Sequence, residues 1–479
     1  MAVSSKTQGT LIRSLGLFSA FMLIVSSIIG SGVFKKVAPM AAELQSPGLV
    51  LLCWGLAGLI TLCGALSNAE VAGMIADSGG QYVYFRKMYG SLFAYLYGWS
   101  CFAVIQSSAA ASISYVFAQS FHSLVPLPNL PPELAQWSIG GVFTPFDNFG
   151  VKLLAIGLIW TLTAVNYRGV RYGGGLSNLV TVAVVVCIFT VVLLGLSIGG
   201  GQWSHIETPA AGYVSRSWTD AGLVGSIFGA LLSAFWAYEG WNSLSFIGGE
   251  IKSPHRNIPL ALIFGVLFVM TVYLLVNFTY LYVMPIDELI GVHQAKNTIA
   301  AVAVVKRFMG EGGALFISVL ILVATFGCTN TTLLMASRIY YAMARNGLFF
   351  RTAAYCHPGY NTPSNALLLQ AFWASMLILS GSFDQLTDML IFASFIYYGS
   401  TAFGVFVLRR KMPDAPRPYR VIGYPVVPAL FVLFCASLVI ITLYNRPREA
   451  FMGLALILAG LPFYFYWKRV NRVDREVSV

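Results

Sequence analysis

About twelve long apolar runs alternate with short polar stretches along this chain. A run of about 20 apolar residues, rising ~1.5 Å each, crosses a bilayer core of ~30 Å, so each run predicts a membrane-spanning helix. They fall near Ser14–Ala42, Gly48–Ile75, Ser91–Ser120, Val151–Val165, Gly174–Ile198, Ala221–Gly248, Ile258–Met284, Gly313–Met343, Ser364–Leu379, Gln385–Leu408, Tyr424–Tyr444 and Ala450–Trp467. The pattern predicts an all-α integral membrane protein. Two runs are interrupted, the first at Ile28-Ile29-Gly30-Ser31-Gly32 and the sixth at Trp236-Ala237-Tyr238-Glu239-Gly240-Trp241-Asn242. Irregular backbone in hydrocarbon leaves N–H and C=O groups unpaired, and survives only where protein or a wet cavity satisfies them. Matching breaks in both halves point to a substrate site between repeats.

Composition agrees with a lipid environment. Hydrophobic residues are 57% of the chain and charged residues 10%, too few to solvate a soluble surface. The net charge of +11 raises the question of nucleic acid, which the distribution answers. With both termini on the cytoplasmic side, the inside segments hold 20 of the 29 Lys and Arg, including Lys6, Arg13, Arg256, Arg409 and Arg475. The outside segments hold 9, among them Arg216 and Lys296. That asymmetry is a topology signal rather than a nucleic-acid patch. The first run is too long for a signal peptide, has no small-residue cleavage site and leads into further spans. Six of the seven cysteines lie within spans and Cys356 in an inside loop, so no disulfide framework is implied. Both Asn-x-Thr matches, at Asn277 and Asn330, fall inside spans, where they are accidental.

Two outside segments stand out. His122 to Gly150 carries five prolines and reads as irregular and compact. Pro285 to Gly310 spaces Ile286, Leu289, Ile290, Ile299, Val302 and Val305 for an amphipathic element on the outer face, either a plain surface helix or an external lid.

The candidate chemistry sits at the breaks. Gly30 and Gly32 flank Ser31; in isolation this Gly-x-Gly could serve close helix packing, but packing motifs space small residues four apart. As a break it exposes the amides that begin the second half-helix, which suit a carboxylate. The carbonyls that end the first half, near Ser27 and Ile28, suit a cation. Glu239 is an ionisable group at mid-span depth, either paired with a neighbouring helix or in contact with substrate or proton. Trp236 is a candidate aromatic gate, while Trp241 reads as packing. Glu70, near the inner end of the second span, reads as a structural hydrogen-bonding acid. No His or Cys spacing suits a metal, and no nucleophile elbow or phosphate-binding loop occurs, so neither an enzyme nor a cofactor is expected.

At these residues the chain resembles the amino acid–polyamine–organocation superfamily, and within it the L-type amino acid transporter branch. Four segments carry the likeness: Ile28 to Phe34, Asp77 to Tyr84, Ala237 to Asn242 continuing through Gly249 to Pro259, and Leu408 to Arg420. The resemblance implies one transporter domain over residues 1–479. It would comprise a five-plus-five inverted repeat (about 13–200 and 220–410) and two extra helices at about 424–468. It further implies that a substrate carboxylate sits on the amides of Ser31 and Gly32, with Gly30 adjoining. The ammonium would face the carbonyls of Ile28, Trp236 and Ala237, and Glu239. Two departures bear on mechanism. The lysine that many sodium-independent relatives carry in the fifth span is Val184 here, in a stretch free of charge from Tyr172 to Ile206. The outside loop from His122 to Gly150 holds no cysteine, so no disulfide-linked heavy-chain partner is expected.

The expected function is secondary transport of small or neutral L-amino acids across the plasma membrane by alternating access, with or without exchange. The alternatives are a proton-coupled carrier of cationic amino acids or polyamines that uses Glu239, and an amino acid sensor that does not transport.

Overall fold

A computed structural model describes residues 11–138, 144–215, 217, 219–295, 299–380 and 383–477. Lys6, Arg216 and Lys296 of the charge count lie outside them. Twelve apolar helices are present among the described residues, in the expected order. They are α1 (Leu17–Lys35, broken at residues 29–31), α2 (Pro47–Met74), α3 (Ser91–Leu124), α4 (Phe149–Tyr167), α5 (Val170–Ser197) and α6 (Ala221–Tyr238). There follow α7 (Pro254–Val283), α8 (Ala300–Arg345), α9 (Ser364–Ser380), α10 (Phe383–Lys411), α11 (Val426–Asn445) and α12 (Ala450–Val470). Eleven are long and apolar enough to cross a membrane, and α9, at 17 residues, is shorter. Only isolated β-bridges occur beside them among the described residues.

Local sequence accounts for several ends. Asp220 caps α6, its Oδ1 accepting from the amides of Gly222 at 2.8 Å and Leu223 at 3.0 Å. A π turn at Cys101–Ile105 interrupts α3, and the carbonyls it displaces find partners on other helices. Tyr340 on α8 donates to the Cys101 carbonyl and Trp373 on α9 to that of Ala103. The outer amphipathic element forms a helix at Ile286–Gln294 and then the start of α8, which turns at Gly310 (φ 64°). Ile286, Leu289, Val304 and Val305 face inward, and Asp287, Glu288, Lys306 and Arg307 outward.

The second half of the sixth span departs from a helix. Beyond Tyr238 the chain continues as two short 3₁₀ turns, Ser243–Phe246 and Gly248–Glu250. Asn, Ser and Gly through this stretch compete with or weaken an α-helical ladder. The stretch is held from outside instead. The amides of Ser14 and Leu15 donate to the Glu250 carbonyl, and the Lys252 amide donates to that of Leu15.

Two ion pairs, one fully buried and one with its arginine partly exposed, tie the helices together. Glu70 receives Arg409 in a two-pronged contact at 2.8 and 2.9 Å, and also the amide of Val421, which fulfils its structural reading. Arg338 on α8 grips Glu250 at 2.7 and 3.2 Å, both side chains being fully buried. Removing one partner of such a pair strands a charge. Arg338→Met is therefore expected to destabilise the protein by about 3–5 kcal/mol. Adding Glu250→Leu should restore most of the lost melting temperature in detergent; equal melting of single and double variants would show that the charge is not stranded.

Candidate functional site

The two breaks face each other at the centre of the bundle. Helix α1 stops at Ile28, and Gly32–Lys35 and Val37–Leu44 resume through Lys36 in helical geometry. The amides of Ser31 and Gly32 meet no acceptor among the described residues, and the buried Ser31 hydroxyl has no partner. Buried donors without acceptors are costly, and three at one spot point to a ligand that accepts hydrogen bonds.

Close approach requires glycine at two positions. A Cβ on Gly32 would lie 2.4 Å from the Ala237 Cα, and one on Gly240 would lie 2.4 Å from the Ser27 carbonyl oxygen. Gly240 also sits at φ +98°, where other residues are strained. Tyr273 on α7 clamps the pair, its hydroxyl 2.9 Å from the Ile28 carbonyl and 2.8 Å from the Ala237 carbonyl. The Ser27 hydroxyl adds a bond to the Gly240 carbonyl at 3.0 Å.

A small cavity of about 30 Å³ with mixed polar and apolar walls, room for one or two waters, opens between the breaks. Ile28, Gly30, Ser31, Gly32, Trp236 and Glu239 line it, as the sequence suggested. Ala237 does not; it packs behind Gly32. The Tyr273 hydroxyl lies within hydrogen-bond distance of both the Ile28 and Ala237 carbonyls and has one proton to share between them, while the Gly30 amide also donates to the Ile28 carbonyl. Trp236 lies buried at the cavity wall.

Sequence reading missed the wall that α3 and α8 supply: Gln106, Ala109 and Ile113 on one side, Cys328 and Thr332 on the other. The available signal was the polar run Cys328-Thr329-Asn330-Thr331-Thr332 within an apolar helix. Half of that run is structural. Thr331 joins Ser26 of α1 to Ser177 of α5, and Asn330 bonds Ser177 and receives the Asn166 amide. Val184, on α5, is buried and apolar. Behind the cavity, Tyr398 on α10 donates to Glu239 Oε1 at 2.6 Å and lies 3.2 Å from Asn242 Oδ1. Asn242 in turn donates to Gln81, which Tyr97 also reaches.

The sequence profile described as amino acid permease matches residues 15–462. The chain belongs to the amino acid permease family. Its relatives include the human b(0,+)-type amino acid transporter 1, 30% identical over 95% of this chain and 87% of that protein. The serine/threonine exchanger SteT of Bacillus subtilis (strain 168) is 30% identical over 95% of this chain and 97% of its own length. Mouse large neutral amino acids transporter small subunit 2 is 32% identical, covering 95% and 82% respectively. This permease is thus a multi-pass membrane protein of a transporter family.

Tyr273→Phe removes a hydroxyl that reaches both breaks. Two buried carbonyls lose the donor they share, so a stability loss of about 1–3 kcal/mol is expected, with weakened stabilisation by substrate in a thermal-shift assay. Unchanged values for both would separate the clamp from the site.

Proposed function

We propose that this permease is a secondary carrier of small or neutral L-amino acids, working by alternating access with or without exchange. The observation that carries the reading is the set of unpartnered donors at Ser31 and Gly32, facing a cavity that also holds the Glu239 carboxyl. A zwitterion's carboxylate would take the amides and the Ser31 hydroxyl. Its ammonium would lie toward Glu239 and the carbonyls that end the two half-helices, at Ile28, Trp236 and Ala237. The side chain would meet Ala109, Ile113, Cys328 and Thr332, a small and mostly apolar wall that suits a short substrate. The printed names of SteT and of the large neutral amino acids transporter favour neutral cargo. Trp236 would close the cavity.

The same reading includes a five-plus-five inverted repeat, residence in the cell membrane, and cytoplasmic termini, for which the basic-residue asymmetry argues. The absence of cysteine from residues 122–150 argues against a disulfide-linked partner. A second reading, proton-coupled transport of cationic amino acids or polyamines, is favoured by one observation: Glu239 is a carboxyl at the cavity wall.

Uptake of all twenty amino acids and putrescine into proteoliposomes, with sodium and proton gradients varied independently, separates these readings. Saturable uptake of small neutral substrates is expected, and binding without uptake would mean a sensor. Glu239→Gln should weaken neutral-substrate affinity roughly 3–10-fold, the worth of one charge-assisted contact of about 1 kcal/mol. Selective loss of lysine or putrescine uptake would favour the second reading. Trp236→Ala should cut turnover about tenfold or more at near-native melting temperature; unchanged turnover would remove the gate.

A further inference from the structure

A second cavity lies far from the breaks, on the outer wall of the bundle. It is an apolar groove of about 340 Å³ between α1 and α7, lined by Leu17, Phe18, Phe21, Leu260, Ala261 and Phe264. Phe18 and Phe264 are 61% and 58% exposed, so the rings stand as ridges with a furrow between them rather than packing into it. Phe21 closes its depth by an edge contact with Phe268, 5.6 Å between ring centres.

The end of this groove carries positive charge. The chain before α1 pairs with the chain before α7, Leu15 bridging Ile251 in parallel. That pairing brings Arg13, two residues before one bridge partner, to the same edge as Lys252, one residue after the other. Arg256 lies in the first turn of α7. It precedes Leu260 of the groove by four residues, and Arg13 precedes Leu17 by four. Within α7 those four residues are about one helical turn, or ~6 Å of rise, while Arg13 reaches Leu17 through extended chain. All three basic side chains are exposed, and among the described residues none is in an ion pair. The neighbouring acid, Glu250, is buried and committed to Arg338. The other acid beside these segments, Asp77, is exposed, lines a pocket with Leu11, Arg86 and Gly249, and forms no ion pair with the three among the described residues.

An apolar furrow on a membrane-spanning bundle, with three exposed cations without ion pairs among the described residues at the helix starts beside it, matches one kind of molecule. We infer that the groove binds an anionic glycerophospholipid, one acyl chain lying between Phe18 and Phe264 and the phosphate reaching Arg13, Lys252 and Arg256. A zwitterionic lipid would fill the furrow equally well but return less to the cations, so headgroup charge sets the preference. Each Lys or Arg near a membrane surface contributes about a fivefold factor toward anionic lipid. The site is independent of the substrate cavity.

Native mass spectrometry of the full chain, released from nanodiscs containing equal phosphatidylglycerol and phosphatidylcholine of one chain length, tests this directly. Retained phosphatidylglycerol should exceed phosphatidylcholine, and the triple variant R13Q/K252Q/R256Q should lose at least tenfold of that preference. Ala261→Trp, which fills the furrow and leaves the charges intact, should lower retention of both lipids. Glycerophosphate, a headgroup without chains, should fail to displace the lipid. Equal retention of the two lipids, or a preference unchanged in the triple variant, would overturn the assignment. So would retention undiminished by Ala261→Trp, or displacement by glycerophosphate. The two sets of variants act on different faces of the site, so misfolding of one leaves the other decisive.

Discussion

A backbone that stops being helical within hydrocarbon must have every freed amide and carbonyl answered, and this constraint organises the permease. At the two breaks several carbonyls are met by protein. Tyr273 lies between two of them with one proton, Ser27 donates to the Gly240 carbonyl, and Cys328 reaches that of Ser27 at 3.4 Å. The amides of Ser31 and Gly32 are left over. The asymmetry has a chemical meaning. Open donors at one break are what the carboxylate of the proposed substrate would need, whatever side chain that ligand bears.

Holding donors open requires a rigid surround, and the surround is made of close contacts that only small residues permit. Gly32 against Ala237 and Gly240 against Ser27 bring the two breaks within backbone distance, so that one tyrosine can bridge them. The hydroxyl ladder from Ser26 through Thr331 to Ser177 and Asn330 then fixes α1 to α5 and α8 without charge. Each polar group there has a neutral partner. The span that carries lysine in many relatives is here stitched by hydrogen bonds instead.

The spans, the order of helices and the position of both breaks were legible in the sequence because each rests on local signals: hydropathy over one helix length, and glycine where helix should continue. Six of the seven proposed site residues reach the cavity for the same reason. What was not legible depends on long-range partners. The donor that two of the carbonyls share comes from Tyr273, some 36 residues beyond Ala237 and 245 beyond Ile28. The cavity wall from Gln106, Cys328 and Thr332 needs the packing of α3 against α8, which no periodicity announces. Similarly, the second half of the sixth span has enough apolar residues for a helix, but tertiary bonds to Ser14, Leu15 and Gly79 sustain a tighter 3₁₀ path.

The acids that lie within the bundle also divide by partner. Glu70 and Glu250 each hold an arginine, so their charge is neutralised inside the protein and they fasten helices together. Glu239 has neutral donors instead, the Tyr398 hydroxyl on one carboxyl oxygen and the Gly240 amide. Breaking the arginine pairs would cost stability, since both charges were desolvated together. In the proposed reading an amino acid would bring its ammonium group toward Glu239 and its carboxylate toward the amides of the opposite break, so an uncharged analogue lacking either end would lose one of those contacts.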